Sequence, residues 1–266
     1  NKGGIVKLAV TGKGGVGKTT LSALLSAAMV EQGYQVFAID ADPNATLLGC
    51  LGYPHPETVR PLVELSDLIE ERTGAKPGTI GGMFRLNPFV DDIPANYAVD
   101  VNGVRVLVVG GFKKGGTGCY CPENAMIRAL ISHLLLDKDV ALVVDMEAGV
   151  EHLSRGTLDS IDELLVVVEP SRASTDTAIR IGRMAGEIGL RRIQVVGSKI
   201  RGPADEAFIR AALPDLSVAG FVPYDPSISE AERAGRPAVE ASPTVNAAIR
   251  DIVHNLQTER QATAVS

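Results

Sequence analysis

The octet GKGGVGKT at residues 12–19 limits what this chain can fold into more than any other stretch. It fits G-x-x-x-x-G-K-[ST], and it directly follows the β-branched run IVKLAVT at 5–11. It also opens a helical pattern that runs from Lys18 to about Gln32 and ends at Gly33. Strand, glycine loop and helix in this order make a phosphate-binding loop. Gly12, Gly14, Gly15 and Gly17, with Val16 among them, let the backbone wrap closely enough for its N–H groups and the helix N-terminus to face phosphate oxygens. Lys18 would neutralise β/γ-phosphate charge, Thr19 would ligate Mg²⁺, and Thr20 completes the expected nucleotide-contacting run. A plain glycine turn is the bland reading, and a lysine aimed into converging donors argues against it.

The same alternation continues along the chain. QVFAID at 35–40, VRVLVVG at 104–110, VALVVD at 140–145, LLVVVE at 164–169, RIQVVGS at 192–198 and VAGFV at 218–222 read as buried strands. Helical patterns at about 123–136, 174–188, 204–212, 227–234 and 243–257 separate or follow them. Fully apolar strands alternating with helices predict an α/β fold, a mostly parallel, doubly wound sheet flanked by helices. Asn102-Gly103 between alternating apolar runs predicts a two-residue turn, with one antiparallel edge strand at about 97–101. Residues 53–96, rich in Gly and Pro toward their end, read as a long surface excursion with a short helix near 62–72. The tail TERQATAVS reads as frayed, and the whole of 1–266 as a single domain.

Charge and composition narrow the function. Lys and Arg number 26 against 32 Asp and Glu, a net charge of −6 that disfavours sequence-independent nucleic-acid binding and a polybasic route to a membrane. No apolar run approaches the roughly 20 residues that span a bilayer, so a cytoplasmic protein is expected.

Two acidic loops sit where ligands of open α/β folds bind, beyond the carboxyl ends of strands. IDADPN at 39–44 carries Asp40 and Asp42, and VVDMEAG at 143–149 carries Asp145 and Gly149. Strand-end turns, or a helix cap for Asp42, are the competing structural readings.

A second lysine, Lys13, stands near the start of the loop, where its side chain cannot easily curl back on its own phosphates. The pattern KGGVGKTT, with both Lys13 and Lys18, resembles the deviant Walker A motif of the MinD, ParA, ArsA and nitrogenase iron-protein class. The resemblance implies ATP hydrolysis with Mg²⁺ in a nucleotide-sandwich homodimer, with Lys13 reaching the phosphates bound by the other subunit. It also implies that Asp42 orients the attacking water, that Asp145 holds Mg²⁺ through water, and that Gly149 begins a second switch. The class has an asparagine before lysine at the end of a late strand, where this chain has Ser198-Lys199. Serine cannot span a base's paired donor and acceptor, so base selectivity is open there. Pro223, Tyr224 and Asp225 match the later loop that covers adenine in the class, and they read equally well as a helix entry.

The chain has three cysteines, and two of them, Cys119 and Cys121, lie in GTGCYCPEN just before a helix. Cys50, set among apolar residues, reads as a small buried hydrophobe. Thiolates at a helix N-terminus are favoured, and Cys-x-Cys can present two sulfurs to one cation at about 2.3 Å each, but a closed tetrahedral site needs two more ligands. A redox dithiol or a ligand-free pair remain the alternatives. In a twofold dimer the two loops can meet on the axis and build a four-thiolate site suited to Zn²⁺, Ni²⁺, Cu⁺ or an iron–sulfur cluster.

The deviant Walker A motif, the Cys-x-Cys loop and VDMEAGVEHLSRGT together resemble the CooC-type ATPases that mature carbon monoxide dehydrogenase. That resemblance covers nearly the whole chain. It implies a metallochaperone that binds nickel or zinc at interface cysteines and delivers nickel to carbon monoxide dehydrogenase. A MinD- or ParA-like positioning ATPase and an iron–sulfur electron-transfer or scaffold ATPase are the other classes to weigh. Against the first, RDIVHNLQTERQ is too polar for strong membrane insertion. Against the second, DMEAGVEH has no cysteine and the chain has no Cys-x-x-Cys.

Overall fold

A computed structural model describes residues 7–78, 83–111, 121–137, 140–147, 161–190 and 192–264, with backbone alone for 259–264. Eight strands form one sheet: β1 (Lys7–Gly12), β2 (Val36–Ala41), β3 (Val99–Val101), β4 (Val104–Val108), β5 (Ala141–Met146), β6 (Glu163–Val168), β7 (Ile193–Ile200) and β8 (Ser217–Pro223). Their spatial order is β3-β4-β2-β5-β1-β6-β7-β8. Every neighbouring pair is parallel except β3 with β4, which is antiparallel, as the alternation of strands and helices predicts. The β3–β4 turn has Asn102 at φ +52° and Gly103 at φ +84°, the left-handed pair that a tight hairpin requires.

Nine helices accompany the sheet in the described residues: α1 (Lys18–Glu31), α2 (Leu47–Cys50), α3 (Ser66–Thr73), α4 (Ile93–Tyr97), α5 (Pro122–Leu136), α6 (Arg172–Glu187), α7 (Pro203–Ala212), α8 (Pro226–Arg233) and α9 (Pro243–Ala264). Because successive strand side chains point to opposite faces, the sheet feeds two apolar layers. Ala9, Ile39, Leu107 and Val144 pack with α3, α5, α6 and α7. Leu8, Val10, Ala38 and Val143 pack with α1, α2 and α9. Both layers are buried throughout, which explains why the strands carry no polar alternation.

Three differences from the sequence reading have physical causes. The excursion over 53–96 is not confined to the surface. Leu62, Ile69 and Ile93 are fully buried against α5, and the expected helix near 62–72 is a 3₁₀ turn at Leu62–Glu64 followed by α3. Its prolines and glycines interrupt any periodicity, which hides those anchors and the short helix α4. At the other end α9 continues to Ala264, because nothing after Pro243 is Gly or Pro. Ile249, Ile252, Val253 and Leu256 meanwhile hold it on the sheet.

One buried cation joins the two sides of the fold. Lys7, at the start of β1, donates from Nζ to the carbonyls of Leu134, Asp137 and Val140. It thereby caps the C-terminal end of α5, whose last carbonyls have no intrahelical partner.

Candidate functional site

β1 and β6 end side by side at the crevice that the sequence assigns to phosphate. Gly12 turns the chain out of β1 at φ +149°, and a Cβ there would lie 2.5 Å from the carbonyl oxygen of Val167 on β6. Only glycine fits that approach. Gly17, at φ +95°, is the N-cap of α1 and makes no side-chain cap hydrogen bond, so the first N–H groups of α1 are open to an anion. Lys18 is buried and folds back over the loop, its Nζ 3.4 Å from the carbonyl of Lys13.

A cleft of about 530 Å³ opens above this loop. Gly14, Gly15, Gly17, Lys18, Thr19 and Thr20 form one end and Ser198, Lys199, Pro223, Tyr224 and Asp225 the other, with Asp42 and Asn44 on the side. The structure thus brings together the loop and the residues expected near the base, across a gap suited in size to a small-molecule ligand.

Asp145 lies behind the loop, fully buried at the end of β5. It accepts hydrogen bonds from the hydroxyls of Ser22, at 3.1 Å, and Thr19. Burial pushes its carboxyl up to about 7, against the pull of those hydroxyls and of Lys18. Its second oxygen, Oδ2, is buried with no hydrogen-bond partner among the described residues. An unpaired carboxylate oxygen beside a threonine hydroxyl is a donor set that suits a hydrated Mg²⁺.

Asp40 and Asp42 divide the labour of the first acidic loop. Asp40 is fully buried, and its two oxygens accept from the backbone N–H groups of Asp42, at 3.2 Å, and Leu47, at 2.9 Å. Burial raises its carboxyl to about 6 despite those bonds. The carboxylate that pins the start of α2 is therefore Asp40. Asp42 instead accepts from the backbone and side-chain amides of Asn44 at 2.9 and 3.0 Å, and it faces the cleft.

At the far end, Asp225 caps α8 by accepting from the N–H of Ser227 at 2.9 Å and also accepts from the hydroxyl of Ser242 at 2.6 Å. These donors hold its carboxyl below the usual range. Tyr224 is half exposed under the guanidinium of Arg201, 4.7 Å from the ring centre. Lys199 reaches back to the loop, donating to the carbonyl of Gly15 at 2.6 Å and pairing with Glu169 at 3.6 Å.

Lys13 lies apart from this assembly. It lines a separate surface depression with Ala173, Asp176, Thr177 and Arg180 of α6. Cys121 is half-buried at the N-cap of α5, whose first residue is Pro122. Cys119 and Gly149 lie outside the described residues. Cys50 packs beside the α1 layer, where burial first and then Glu232, Asp145 and Asp40 push its thiol up to about 12. Among the described residues no group of three or more His, Cys, Asp or Glu could hold a metal ion.

Sequence reading missed Ser22, Asn44 and Glu169. Ser22 was within reach of it, since it lies four residues beyond Lys18 and so on the same face of α1. Asn44 and Glu169 become visible only once the loop and the sheet edge are folded.

Residues 7–238 match the CobQ/CobB/MinD/ParA nucleotide binding domain, so the fold and the loop together define a P-loop ATPase of the deviant Walker A class. The chain is 40% identical to the carbon monoxide dehydrogenase accessory protein CooC of Rhodospirillum rubrum, over 94% of each chain. It is also 40% identical to an uncharacterized ATP-binding protein of Methanocaldococcus jannaschii, over 87% of this chain and 90% of that one. The chain belongs to this nucleotide-binding family, in its CooC-type group. MinD in the MinC:MinD cell division complex of Aquifex aeolicus shares the fold, with a TM-score of 0.68 at 20% identity over 95% of this chain and 96% of that one. No helix among the described residues is long and apolar enough to cross a membrane.

Proposed function

We propose that the protein is a cytoplasmic, ATP-hydrolysing metallochaperone that serves carbon monoxide dehydrogenase. The observation that carries this reading is the 40% identity, over 94% of both chains, to a protein named for that accessory role. In the proposed cycle, ATP lies in the cleft with its phosphates on the backbone of Gly12–Thr20 and its charge met by Lys18. Thr19 and, through water, Asp145 would hold Mg²⁺, which would offset phosphate charge. The buried, unpaired Oδ2 of Asp145 supports that assignment. Asp42, on the cleft side, orients the attacking water.

The base lies toward Ser198, Pro223 and Tyr224. There Ser198 supplies one hydrogen bond where the class has an amide, and Asp225 acts by holding the loop at the start of α8.

Two chains associate when nucleotide binds. Lys13 lines a depression outside its own cleft, which supports a role on the partner's phosphates. Cys119 and Cys121 of both chains together hold one Ni²⁺ or Zn²⁺ as cargo. Position favours thiolate there, since Cys121 is the N-cap residue of a 15-residue helix. Closing the dimer on ATP gathers four sulfurs, and hydrolysis separates them, so release of metal to the client follows the nucleotide state.

Metal analysis combined with light scattering, with and without ATP and nickel, tests the reading. A dimer carrying one metal per two chains is the expected result. Iron and sulfide in a brown protein would move the assignment to electron transfer.

A further inference from the structure

The contact between Lys199 and the phosphate loop is built at some conformational expense. β7 and β8 pair Gly197 with Phe221 and then Ile200 with Pro223, so β7 carries one extra residue over that interval. The bulge leaves Lys199 at φ +59°, a left-handed conformation uncommon for a residue with a side chain. Bulges of this kind redirect a side chain, and here Lys199 is turned across the cleft mouth onto Gly15, 184 residues earlier. Its second partner is also fixed. Glu169, just beyond β6, binds Lys199 through Oε2 and accepts from the hydroxyl of Ser171, the N-cap of α6, through Oε1.

We propose that Lys199 and Glu169 form a clasp that sets the phosphate loop in its nucleotide-binding shape, so that Lys199 is a positioning residue and not a reader of the base. The clasp rests on the nucleotide cleft described above. In the trans peptide joining Gly15 to Val16 the C=O and N–H groups point in opposite directions. A Gly15 carbonyl held by Lys199 therefore turns the Val16 N–H away from Lys199, toward the phosphate position. Gly14 and Gly15 are exposed, and a methyl group on either would meet nothing within 4 Å, so packing holds the loop only from the buried Val16 onward. The clasp supplies what packing does not. It also ties the loop next to Lys13 to the N-terminus of α6, the helix whose surface Lys13 lines.

The test measures Mg²⁺-dependent binding of ADP and of inorganic tripolyphosphate, which has no base, to wild type, Lys199→Ala, Lys199→Arg and Glu169→Gln. Loss of a charge-assisted hydrogen bond that orders the loop is expected to weaken both probes about tenfold in Lys199→Ala, and by the same factor. Lys199→Arg should recover most of the loss. Glu169→Gln is the deciding variant, because removing a negative charge beside a phosphate site should by itself tighten anion binding. The clasp predicts the opposite sign, weaker binding of both probes. Tighter or unchanged binding in Glu169→Gln overturns the proposal, as does a Lys199→Ala protein that loses ADP but keeps tripolyphosphate. Thermal unfolding of each nucleotide-free variant, expected close to wild type, separates a loosened loop from a damaged fold. A wild-type protein that binds neither probe overturns the nucleotide reading itself.

Discussion

Ser22 donates its hydroxyl to Oδ1 of Asp145 across 3.1 Å, although 123 residues separate them in sequence. Both are fully buried, so the helix behind the phosphate loop is fastened directly to the acid at the end of β5. The bond satisfies one oxygen of a carboxylate whose other oxygen is buried with no hydrogen-bond partner among the described residues.

That incomplete satisfaction has a pH signature. Asp145 titrates near 7 in the folded protein, against 3.8 as an ordinary carboxyl. A raised acid binds a proton more tightly when folded, so folding is favoured below the folded value and penalised as pH rises from about 4 through 7. Asp40, raised to about 6, acts in the same direction. The nucleotide-free protein should therefore unfold at a higher temperature at pH 5.5 than at pH 8. Asp145→Asn should flatten that dependence and gain up to a few kcal/mol at pH 8. Thermal melts of both proteins across the range check this, and an unchanged slope in Asp145→Asn would refute it.

Gly12 should not tolerate a methyl group. A Cβ 2.5 Å from the Val167 carbonyl must push β1 and β6 apart, and neither neighbour is the end of a flexible side chain. Gly12→Ala is expected to cost about 2 kcal/mol or more, and to lower the melting temperature by several degrees before any nucleotide is added. Gly14→Ala meets nothing within 4 Å and serves as the control, with a melting temperature close to wild type.

Complementation reads the proposed action of Lys13 in trans. Lys13→Ala and Asp42→Asn proteins are each expected to lose most ATP hydrolysis, yet mixing them should restore activity, because one composite site regains both groups. Absence of rescue, with mixed dimers demonstrated, would place Lys13 in its own site or in none.

The cysteine pair and the hydrolytic site should separate cleanly. Cys119→Ser with Cys121→Ser is expected to abolish stoichiometric nickel or zinc binding while nucleotide affinity stays within about twofold of wild type, since Cys121 does not line the cleft. Equilibrium dialysis with metal analysis decides it. Retained metal would move the site elsewhere.

The strands were legible because burial on both faces leaves runs such as VALVVD with nothing polar to confuse the period. The loop was legible because Gly12 and Gly17 hold backbone conformations that no other residue takes easily. The excursion before β3 was not, because its buried anchors, such as Leu62, Ile69 and Ile93, fall on short elements separated by turns and by a Gly- and Pro-containing stretch, too short for any period to show. The roles within IDADPN were half legible. Two acids two residues apart announce a site, but only the fold reveals that Asp40 turns inward to pin α2 while Asp42 faces the cleft.

Lys7 gives the chain a mechanical property. It grips the far end of α5, and α5 begins at the residue after Cys121. At 15 residues the helix is roughly 22 Å long, so it is a core-packed rod moored to β1 at one end with Cys121 at the other. A tilt of about 5° about that mooring would swing the tip by about 2 Å, close to the length of one metal–thiolate bond. For the proposed metal site, leverage of this kind would let a small displacement at the root of the phosphate-bearing strand open or shut a grip on metal at the opposite end.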